Sequence, residues 1–388
     1  MKTIGIVAEY NPFHTGHAWH IQETRRMFCE ETAVVAVMSG NWVQRGECAI
    51  TDKWTRAEMA LSGGADLVLE LPTVWATTSA EGFARGAVSL LAATGAVDVL
   101  SFGSECGDLP ALRALAKCLN SLDFSQVLRR ELGPKKNFAQ CRRQAAAHLL
   151  GEETAALLDL PNNNLGVEYL RFLPPDIKAV TIPRRGAGHD SPSEGDGFLS
   201  ASLLRQKLRA GEVTGVSPFL PLPWKGEAAD MKHLERALIA RLRSMTLAET
   251  ETLPDSGDGL AARLLFAARQ TANLEELYTL TKTRTYTHAR VRRLALYALL
   301  GLREQDRPAA PPYIRVLGFN RRGRDVLRKM NGTAMIPFSV KPAHIPRFSP
   351  ETQALFTLEE RFTDLYSLCF PTPWPGGLEW TTNPIVKL

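Results

Sequence analysis

The sequence has few cysteines, no long apolar run and no export signal at its N-terminus. The six cysteines among 388 residues lack CxxC spacing. A chain of this length folds without disulfides, so reduced thiols are favoured over a disulfide framework or a thiolate zinc site. No stretch of about 18 uncharged apolar residues occurs, which argues against a membrane-spanning helix. Because the N-terminus enters an apolar strand pattern at once, we expect a cytoplasmic protein.

The composition is that of a globular protein, but its positive charge is concentrated in one region. Hydrophobic residues make up 45% and charged residues 22% of the chain, and the length suggests two or three domains. The net charge is +5, yet residues 281–330 contain thirteen Lys or Arg against three acidic residues. Such a block is typical of a protein with a polyanionic partner, since Lys and Arg displace counterions from phosphates. A solvated helical face is the alternative explanation.

The first half of the sequence alternates apolar, β-rich runs with segments of helical periodicity. The apolar runs are TIGIVAEY, TAVVAVMSG, ADLVLELP, AVDVLSFG and IKAVTIP. Continuously apolar strands separated by helices indicate a parallel sheet covered on both faces. We therefore predict an α/β fold with a Rossmann-like, doubly wound parallel sheet. Ligands of such sheets bind at the carboxyl ends of the strands, where we expect residues 9–17, 39–45 and 103–105 to gather.

The character of the sequence changes near residue 210. The Gly-, Ser- and charge-rich stretch RRGAGHDSPSEGDG precedes this point and has the composition of a mobile loop, and the Pro-rich stretch SPFLPLPW follows it as a linker. Beyond the linker, Leu, Ala, Arg and Glu recur in helical patterns. We predict an α/β domain over residues 1–210 and a mainly α-helical domain over residues 211–388.

The motif NPFHTGH lies where the first predicted strand gives way to a helix. A helix that begins there points its free N–H groups into the crevice, which suits a phosphate. His14 and His17 are three residues apart and project to one side of the first turn. Two imidazoles aimed at an α-phosphate would stabilise the charge that develops as a nucleophile attacks. The alternatives are a helix cap beside a surface residue, or half of a metal site that His20 would extend.

Two further segments carry polar residues to the same edge. SASLLR begins a later helix with Ser200 in the capping region. The loop and helix after the second strand contain Gln44, Arg45, Asp52, Lys53 and Arg56. Lys53 or Arg45 is a candidate to neutralise a leaving pyrophosphate or an incoming carboxylate, whereas Asp52 either joins them or only caps the helix.

Two motifs resemble those of a known superfamily. NPFHTGH resembles the HxGH signature of the nucleotidyltransferases, and SASLLR is similar to their ISSTxIR element, which holds the β- and γ-phosphates. A longer resemblance, to the bacterial tRNA(Met) cytidine acetate ligase family, covers nearly the whole chain. It is carried by MSGNWVQRGECAITDKWTRAEMALSGGADLVLELP, SFGSE, PNNNLGVEYL, TIPRRGAG, RTYTHARVRRLALYALLG and YIRVLGFNRRGR.

The resemblance implies an enzyme, an ATP-dependent ligase that makes N4-acetylcytidine. It would activate acetate as acetyl-adenylate with release of pyrophosphate. It would then pass the acetyl group to N4 of the wobble cytidine of elongator tRNA(Met), releasing AMP. Magnesium is expected with the triphosphate, although no carboxylate is assigned to it.

The resemblance also implies where ATP binds. His14 and His17 would be catalytic, at the phosphates; Gly103 would lie beneath the nucleotide. One of Asn162 or Asn163, together with Arg184, would meet the adenosine end. The implied ATP-binding residues are Val7, Ala8, Glu9, Tyr10, Asn11, Pro12, Phe13, His14, Thr15, Gly16, His17, Ala18, Trp19, His20, Gly103, Asn162, Asn163, Arg184 and Ser200.

The basic block is the predicted tRNA-binding region. Cations interleaved with flat side chains suit a folded RNA with an unpaired loop base. The predicted contacts are Arg284, Tyr286, His288, Arg290, Arg292, Arg293, Arg321 and Arg322. The resemblance thus implies that residues 1–210 are the ATP-binding catalytic domain, which receives the cytidine, and that residues 211–388 are the tRNA-binding domain, which holds the tRNA body. We expect that reversing the charge of Arg292 and Arg293 weakens tRNA binding and leaves acetyl-adenylate formation intact.

Two other functions fit part of the pattern. A small-molecule adenylyltransferase of cofactor biosynthesis would use the same motifs but has no need of the basic block. A nucleotide-sensing tRNA-binding protein without catalysis would need the block, but the intact HTGH and SASLLR motifs argue against it.

Overall fold

An eight-stranded sheet runs through the computed structural model, which describes residues 1–133, 137–184 and 199–388. A separate two-stranded hairpin is formed by β3 and β4. Most of the stretch RRGAGHDSPSEGDG, predicted to be a mobile loop, lies outside the described residues. The strands are β1 (Lys2–Ala8), β2 (Thr32–Ser39), β3 (Trp42–Val43), β4 (Glu47–Cys48), β5 (Leu67–Leu71), β6 (Val99–Ser104), β7 (Lys178–Pro183), β8 (Ile314–Asn320), β9 (Phe338–Ser339) and β10 (Ile385–Lys387).

Nineteen α-helices surround the sheet in the part of the chain described above. Those before residue 210 are α1 (Thr15–Arg26), α2 (Lys53–Ser62), α3 (Thr73–Ala76), α4 (Ala80–Ala93), α5 (Leu109–Leu119), α6 (Leu122–Glu131), α7 (Phe138–Leu150), α8 (Glu152–Ala156), α9 (Pro161–Phe172) and α10 (Ala201–Arg209). Those after it are α11 (Val213–Val216), α12 (Glu235–Ser244), α13 (Leu247–Glu251), α14 (Leu260–Gln270), α15 (Leu274–Thr281), α16 (His288–Leu300), α17 (Arg321–Thr333), α18 (Pro350–Tyr366) and α19 (Leu378–Thr381).

The strand order of the sheet is β10-β8-β5-β2-β1-β6-β7, and β9 pairs with β8. The strands from β5 to β7 are parallel to one another, and β8 joins β5 antiparallel. The order reverses direction around β1, which is followed by β2 on one side and by β6 on the other. This is the doubly wound, Rossmann-like arrangement, so the predicted fold class is confirmed.

Both faces of the sheet are covered. All eight residues of β2 are buried, and alternate side chains enter two different apolar clusters. Val35 and Val37 pack with α4 and the C-terminal helices, whereas Val34 and Met38 pack with α1 and α2. A strand with two buried faces has no polar position to spare, which explains its continuously apolar sequence.

The sheet extends across the predicted domain boundary near residue 210. The C-terminal part is mainly helical, but its strands β8, β9 and β10 extend the sheet beyond β5. The run YIRVLGFN, read from the sequence as part of the basic block, forms β8. Residues 1–210 alone would therefore leave β5 as an edge strand, and β8 from the C-terminal part pairs with it.

Candidate active site

A cavity of about 260 Å³ opens at the carboxyl edge of the sheet, where β1, β2, β6 and β7 end. Its walls come from the segment after β1, the β3–β4 hairpin, the end of β6, and the first turns of α9 and α10. The predicted residues that line it are Val7, Ala8, Glu9, Tyr10, Asn11, His14, Gly16, His17, Trp19, His20, Gly103, Asn162, Arg184 and Ser200. The fold thus brings together most of the residues predicted to bind ATP.

The other predicted residues do not line the cavity; they are Pro12, Phe13, Thr15, Ala18 and Asn163. Phe13 is fully buried, and its ring packs edge-on against Tyr10 with 4.7 Å between ring centroids. It also fills the space beside Gly63, where an added Cβ would lie 2.1 Å from the Phe13 ring. Phe13 therefore anchors the loop after β1 to α2.

His14 and His17 form a reciprocal cap at the start of α1. The Nδ1 atom of His14 accepts a hydrogen bond from the Gly16 backbone N–H (3.0 Å), and Nδ1 of His17 accepts one from the His14 backbone N–H (3.2 Å). A ring nitrogen that accepts a hydrogen bond carries no proton, so the neutral rings hold their proton on Nε2. Each ring therefore presents an Nε2–H donor.

The histidine rings are neutral at physiological pH. Burial, assisted by the positive charges of Arg184 and Arg205, lowers the pKa of His14 to about 3. Burial and the neighbouring His14 hold the pKa of His17 well below its usual value. The pair therefore offers hydrogen-bond donors, and the positive charge of the site comes from the arginines.

The adenosine end predicted from the sequence is built around Asn162. Its Nδ2–H donates to Glu105 Oε1 (2.6 Å), and its Oδ1 accepts from Arg184 Nη1 (3.2 Å). Asn163 is fully buried, and its Oδ1 accepts from the backbone N–H groups of Glu105 and Cys106. Of the two asparagines that the sequence left open, Asn162 reaches the cavity and Asn163 fixes the turn after β6.

The start of α10 closes another side of the cavity. Ser200 caps this helix by accepting from the Leu203 N–H (3.2 Å). Arg205, one turn further on, donates from Nη1 to the Asn11 carbonyl (2.8 Å) and so ties α10 to the loop after β1. Arg205 lines the cavity. Arg205 was not predicted individually as a site residue, although it is the last residue of the SASLLR motif.

Lys53 does not face the cavity, contrary to the prediction that it is a candidate to neutralise pyrophosphate or a carboxylate. It is fully buried and pairs with Glu70 (2.7 Å) and with Glu379 near the C-terminus. Asp52 caps α2 by accepting from the Thr55 N–H (2.9 Å), which is the simpler of its two predicted roles. The position of Lys53 depends on Glu379, a partner that no local pattern reveals.

Arg56 does not line the cavity but stabilises the backbone at its edge. Its guanidinium is fully buried and donates to the backbone carbonyls of Thr51, Glu9, Ser39 and Gly40. These carbonyls belong to the loop after β1, to the end of β2 and the residue after it, and to the segment before α2. Arg56 therefore fixes these segments to one another instead of meeting a ligand.

Several lining residues carry no motif. The β3–β4 hairpin supplies Val43, Gln44, Arg45 and Glu47, of which the sequence indicated only Gln44 and Arg45. The apolar and aromatic lining residues are Ile6, Phe83, Phe102, Leu165, Tyr169, Ile182 and Leu199. In the sequence, apolar residues at such positions cannot be distinguished from core residues, because no local pattern shows that one side of the residue faces a cavity.

The arginines at the start of α16 are engaged within the protein. Arg290 pairs with Asp258 (3.0 Å), and Arg293 pairs with Asp255 (2.7 Å). Arg292 pairs with Glu47 of the β3–β4 hairpin. Arg293 is buried, and its role as an RNA contact stays a prediction.

Tyr286 is also buried, and its hydroxyl donates to the Asp258 carbonyl; its contact with RNA stays a prediction. The exposed members of the predicted set near this helix are Arg284 and His288. His288 is the first residue of α16, and Arg284 precedes this helix by four residues.

Arg321 and Arg322 lie at the opposite edge of the sheet. They begin α17 directly after β8, whose last residue, Asn320, donates from its backbone N–H to the Asp66 carbonyl at the start of β5 (2.9 Å). Arg322 pairs with Glu31, just before β2. The amino ends of parallel strands lie opposite the cavity, so the predicted tRNA-binding residues are divided between two edges.

The described residues contain no group of three or more His, Cys, Asp or Glu side chains arranged to hold a metal ion. His20 Nε2 lies 3.1 Å from the Ser101 hydroxyl. Within the same described ranges, no helix has the length and apolar character needed to cross a membrane.

Comparison with known proteins gives a consistent result. The model of the HIGH nucleotidyltransferase family matches residues 1–375. The tRNA(Met) cytidine acetate ligase of Caldanaerobacter subterraneus is 36% identical over the full length of both chains, and that of Halothermothrix orenii is 34% identical over 96% of each. Two crystal structures of Thermotoga maritima TmcAL, 31% identical, superpose over the whole chain. The apo form has a TM-score of 0.93, and the form bound to α-thio ATP has a TM-score of 0.90.

Proposed function

The chain belongs to the HIGH nucleotidyltransferase family and, within it, to the tRNA(Met) cytidine acetate ligases, and from this premise we infer that it is an ATP-dependent ligase. It activates acetate as acetyl-adenylate and acetylates N4 of the wobble cytidine of elongator tRNA(Met). The observation in the cavity that carries this inference is the His14–His17 cap, which presents two Nε2–H donors at the start of α1.

We propose that ATP lies across the carboxyl edge of the sheet with its adenosine over Gly103. Asn162 and Arg184, which contact each other, would hold the adenosine end. The α-phosphate would meet the N-terminus of α1, and the β- and γ-phosphates would meet Ser200 and Arg205 at the start of α10. Arg184 and Arg205 both line the cavity and act on the charge of His14, so they would supply positive charge along the proposed path of the triphosphate.

In the first step, an acetate oxygen forms a bond to the α-phosphorus, and the bond from this phosphorus to the bridging oxygen of pyrophosphate breaks. Negative charge builds on the non-bridging oxygens of the α-phosphate. The Nε2–H groups of His14 and His17 donate to these oxygens most strongly in the transition state. Removing one such preorganised donor typically costs about 10²- to 10³-fold in rate.

In the second step, N4 of cytidine forms a bond to the acetyl carbon, and the bond from this carbon to the AMP oxygen breaks. The N4 proton leaves to solvent, and AMP departs. The base must be presented out of its stack to reach the cavity. We propose that Arg284 and His288, exposed at the start of α16, receive the RNA near the cavity.

Magnesium is proposed to arrive with ATP. Mg²⁺ is usually held by one or two carboxylates together with substrate phosphates. Glu9 directly follows β1 and lines the cavity, and its Oε1 accepts a hydrogen bond from the Gln44 N–H. This residue would be available to a phosphate-bound ion. We place the reaction in the cytoplasm.

The test of this function has two parts. Acetate-dependent exchange of labelled pyrophosphate into ATP measures the first step, with nicotinate mononucleotide and no acid as comparisons. Mass analysis of nucleosides from tRNA treated with ATP, acetate and the protein measures the second. Exchange that ignores acetate, or an absence of N4-acetylcytidine, would contradict the proposal.

A further inference from the structure

The hairpin of β3 and β4 forms one wall of the cavity and rests on the C-terminal helices. Trp42 of the hairpin donates from Nε1 to the Phe362 carbonyl in α18 (2.9 Å). Gly46, at the turn, has φ +75° and lies against the backbone of α16, where an added Cβ would approach the Arg293 nitrogen to 2.5 Å. Only a glycine permits both this φ and this approach. The wall is therefore seated directly on α16.

Arg292 joins that helix to the hairpin. Its guanidinium pairs with Glu47 and lies over the ring of Tyr278, 5.5 Å from the ring centroid. Its side chain is 31% exposed and that of Glu47 is 21% exposed. Because Glu47 also lines the cavity, the pair connects α16 to the cavity through one residue.

The hairpin reaches the region of the cavity next to α10. Val43, Gln44 and Arg45 line the cavity, and the Gln44 N–H donates to Glu9 (2.9 Å). In the sheet order, the hairpin follows β2, on the opposite side of β1 from Gly103 and Arg184. It therefore borders the end of the cavity that lies away from the proposed adenosine site.

The charges that act on Arg205 show that the hairpin and α10 lie at the same end of the cavity. Burial lowers its pKa; the charges of Glu47 and Glu9 oppose this effect, and the charge of Arg45 adds to it. Arg45 and Glu47 are thus close enough to Arg205 to act on its charge. The hairpin and α10 face the same part of the cavity, where the proposed function places the β- and γ-phosphates.

We propose that Arg292 is a positioning residue that, through Glu47, holds the hairpin and its Arg45 in place for the pyrophosphate end of ATP. The inference rests on the proposed position of ATP, but not on the identity of the acid or the RNA. It replaces the expectation that Arg292 serves RNA binding alone. Loss of the pair would loosen the wall even when no tRNA is present.

The test compares R292A with R143A. Arg143 also makes a partly exposed ion pair, with Asp159 at 2.9 Å and 29% exposure, on a helix that does not contribute to the cavity. R292A loses its pair with Glu47, and R143A loses its pairs with Asp159 and Glu152. Partly exposed pairs contribute little to stability, so both melting temperatures should fall by small amounts. Binding of ATP and of AMP is measured by calorimetry without tRNA, and acetate-dependent exchange is measured in parallel.

We expect R292A to bind ATP about 10-fold more weakly and to lose exchange activity by at least this factor, since small displacements of positioned groups are costly. AMP lacks the β- and γ-phosphates, so its affinity should change by less than about twofold. R143A should match the wild type in all three. The conservative R292K and the exchanged pair R292E/E47R should recover part of the ATP affinity that R292A and R292E lose.

Equal ATP binding by R292A and R143A would overturn the inference, as would equal losses of ATP and AMP affinity. A loss confined to tRNA binding would restore the simpler role as an RNA contact. A wild type that binds ATP but shows no acetate-dependent exchange would contradict the proposed function, while the calorimetric comparison would still decide the role of Arg292.

Discussion

At the scale of single residues, the two histidines of HTGH use their two ring nitrogens for different tasks. The Nδ1 atoms cap α1, which leaves the Nε2–H groups of two residues that line the cavity for the proposed donor role. The cap and the donor role, which the sequence offered as alternatives, are therefore compatible within the same rings. The backbone N–H groups fix the tautomer that the proposed role requires, because they occupy the nitrogen that must stay unprotonated.

This division predicts different behaviour for two substitutions of His17. Glutamine is a natural capping residue at the third position of a helix, so H17Q keeps an acceptor for the His14 N–H but loses the ring donor. Alanine loses both. We expect both variants to reduce acetate-dependent exchange about 10²- to 10³-fold. Only H17A should also lose about 1 kcal/mol of unfolding free energy, measured by denaturant titration.

Equal destabilisation by both substitutions would mean that the hydrogen bond from His14 to His17 contributes nothing to the cap. Exchange that survives in H17Q would assign the catalytic donor to another group. ATP affinity should fall much less than the exchange rate in both variants, because the donor acts mainly on the transition state.

At the scale of elements, a buried charge cluster joins α2, β5, α18 and α19. Lys53 is paired with Glu70 and Glu379. Burial acts to lower the pKa of Lys53, but Glu379 and Glu70 outweigh it, so the pKa is raised. Glu359 in α18 accepts from the Thr73 N–H and hydroxyl, and burial together with the charge of Glu70 raises its pKa to about 8.

Glu359 is therefore expected to make stability depend on pH. Its pKa is higher in the folded state than in the unfolded state, so the folded state binds more protons. Its contribution is fully present below pH 4.5 and is lost as the pH rises towards 8. In E359Q, which keeps an acceptor for Thr73, this loss is absent. The melting temperature of E359Q relative to wild type should therefore rise between pH 5 and pH 9, as measured by calorimetry.

A comparison variant is E70Q, which removes a direct partner of Lys53 and leaves a buried positive charge less compensated, so it should be destabilised by about 3–5 kcal/mol at neutral pH. Because the charge of Glu70 also helps to raise the pKa of Glu359, the stability of E70Q should depend less on pH than that of the wild type. A difference between E359Q and wild type that stays constant with pH would show that Glu359 is ionised throughout this range.

At the scale of the whole molecule, the cations predicted to bind tRNA lie at two opposite edges of the sheet. Arg284 precedes α16, the helix that contacts the β3–β4 hairpin of the cavity, and Arg321 is at the amino ends of the strands. Because the wobble cytidine must enter the cavity, we expect R284E to raise the KM for tRNA more than R321E does. It should also reduce the slope of log KM against log salt by about 1. Pyrophosphate exchange, measured without tRNA, is the control and should be unchanged.

A larger effect of R321E would mean that the body of the tRNA is held mainly across the far edge. Equal and small effects would place the RNA on surfaces that the basic block does not include. Either result would require the exposed start of α16 to be reconsidered as the site that receives the anticodon loop.

The sequence predicted the parallel strands and the histidine pair because both follow from local patterns. Apolar runs of the right length define β1, β2, β5, β6 and β7, and HTGH lies directly after the first of them. The sequence did not predict β8, because the basic residues around YIRVLGFN indicated an RNA-binding region. Nor could it predict that Lys53 is paired with Glu379, since burial of a charge depends on partners 326 residues away.

That dependence predicts that residues 1–210 do not fold alone, although they contain most of the cavity. Without the rest of the chain, β5 becomes an open edge, and its Leu67, Val68 and Leu69, now fully buried, lose β8 and the helices that cover them. Lys53 would keep Glu70 but lose Glu379, and Trp42 would lose its carbonyl partner in α18. An apolar edge strand of this kind favours aggregation.

We therefore expect a fragment of residues 1–210 to aggregate or to lack a cooperative thermal transition, measured by circular dichroism and light scattering. Co-expression with residues 211–388 should restore a soluble complex that binds ATP, because the missing strands and charges are then supplied in trans. A fragment 1–210 that melts cooperatively near the temperature of the full chain and binds ATP with equal affinity would contradict this. It would show that the C-terminal strands only extend a domain that is complete without them.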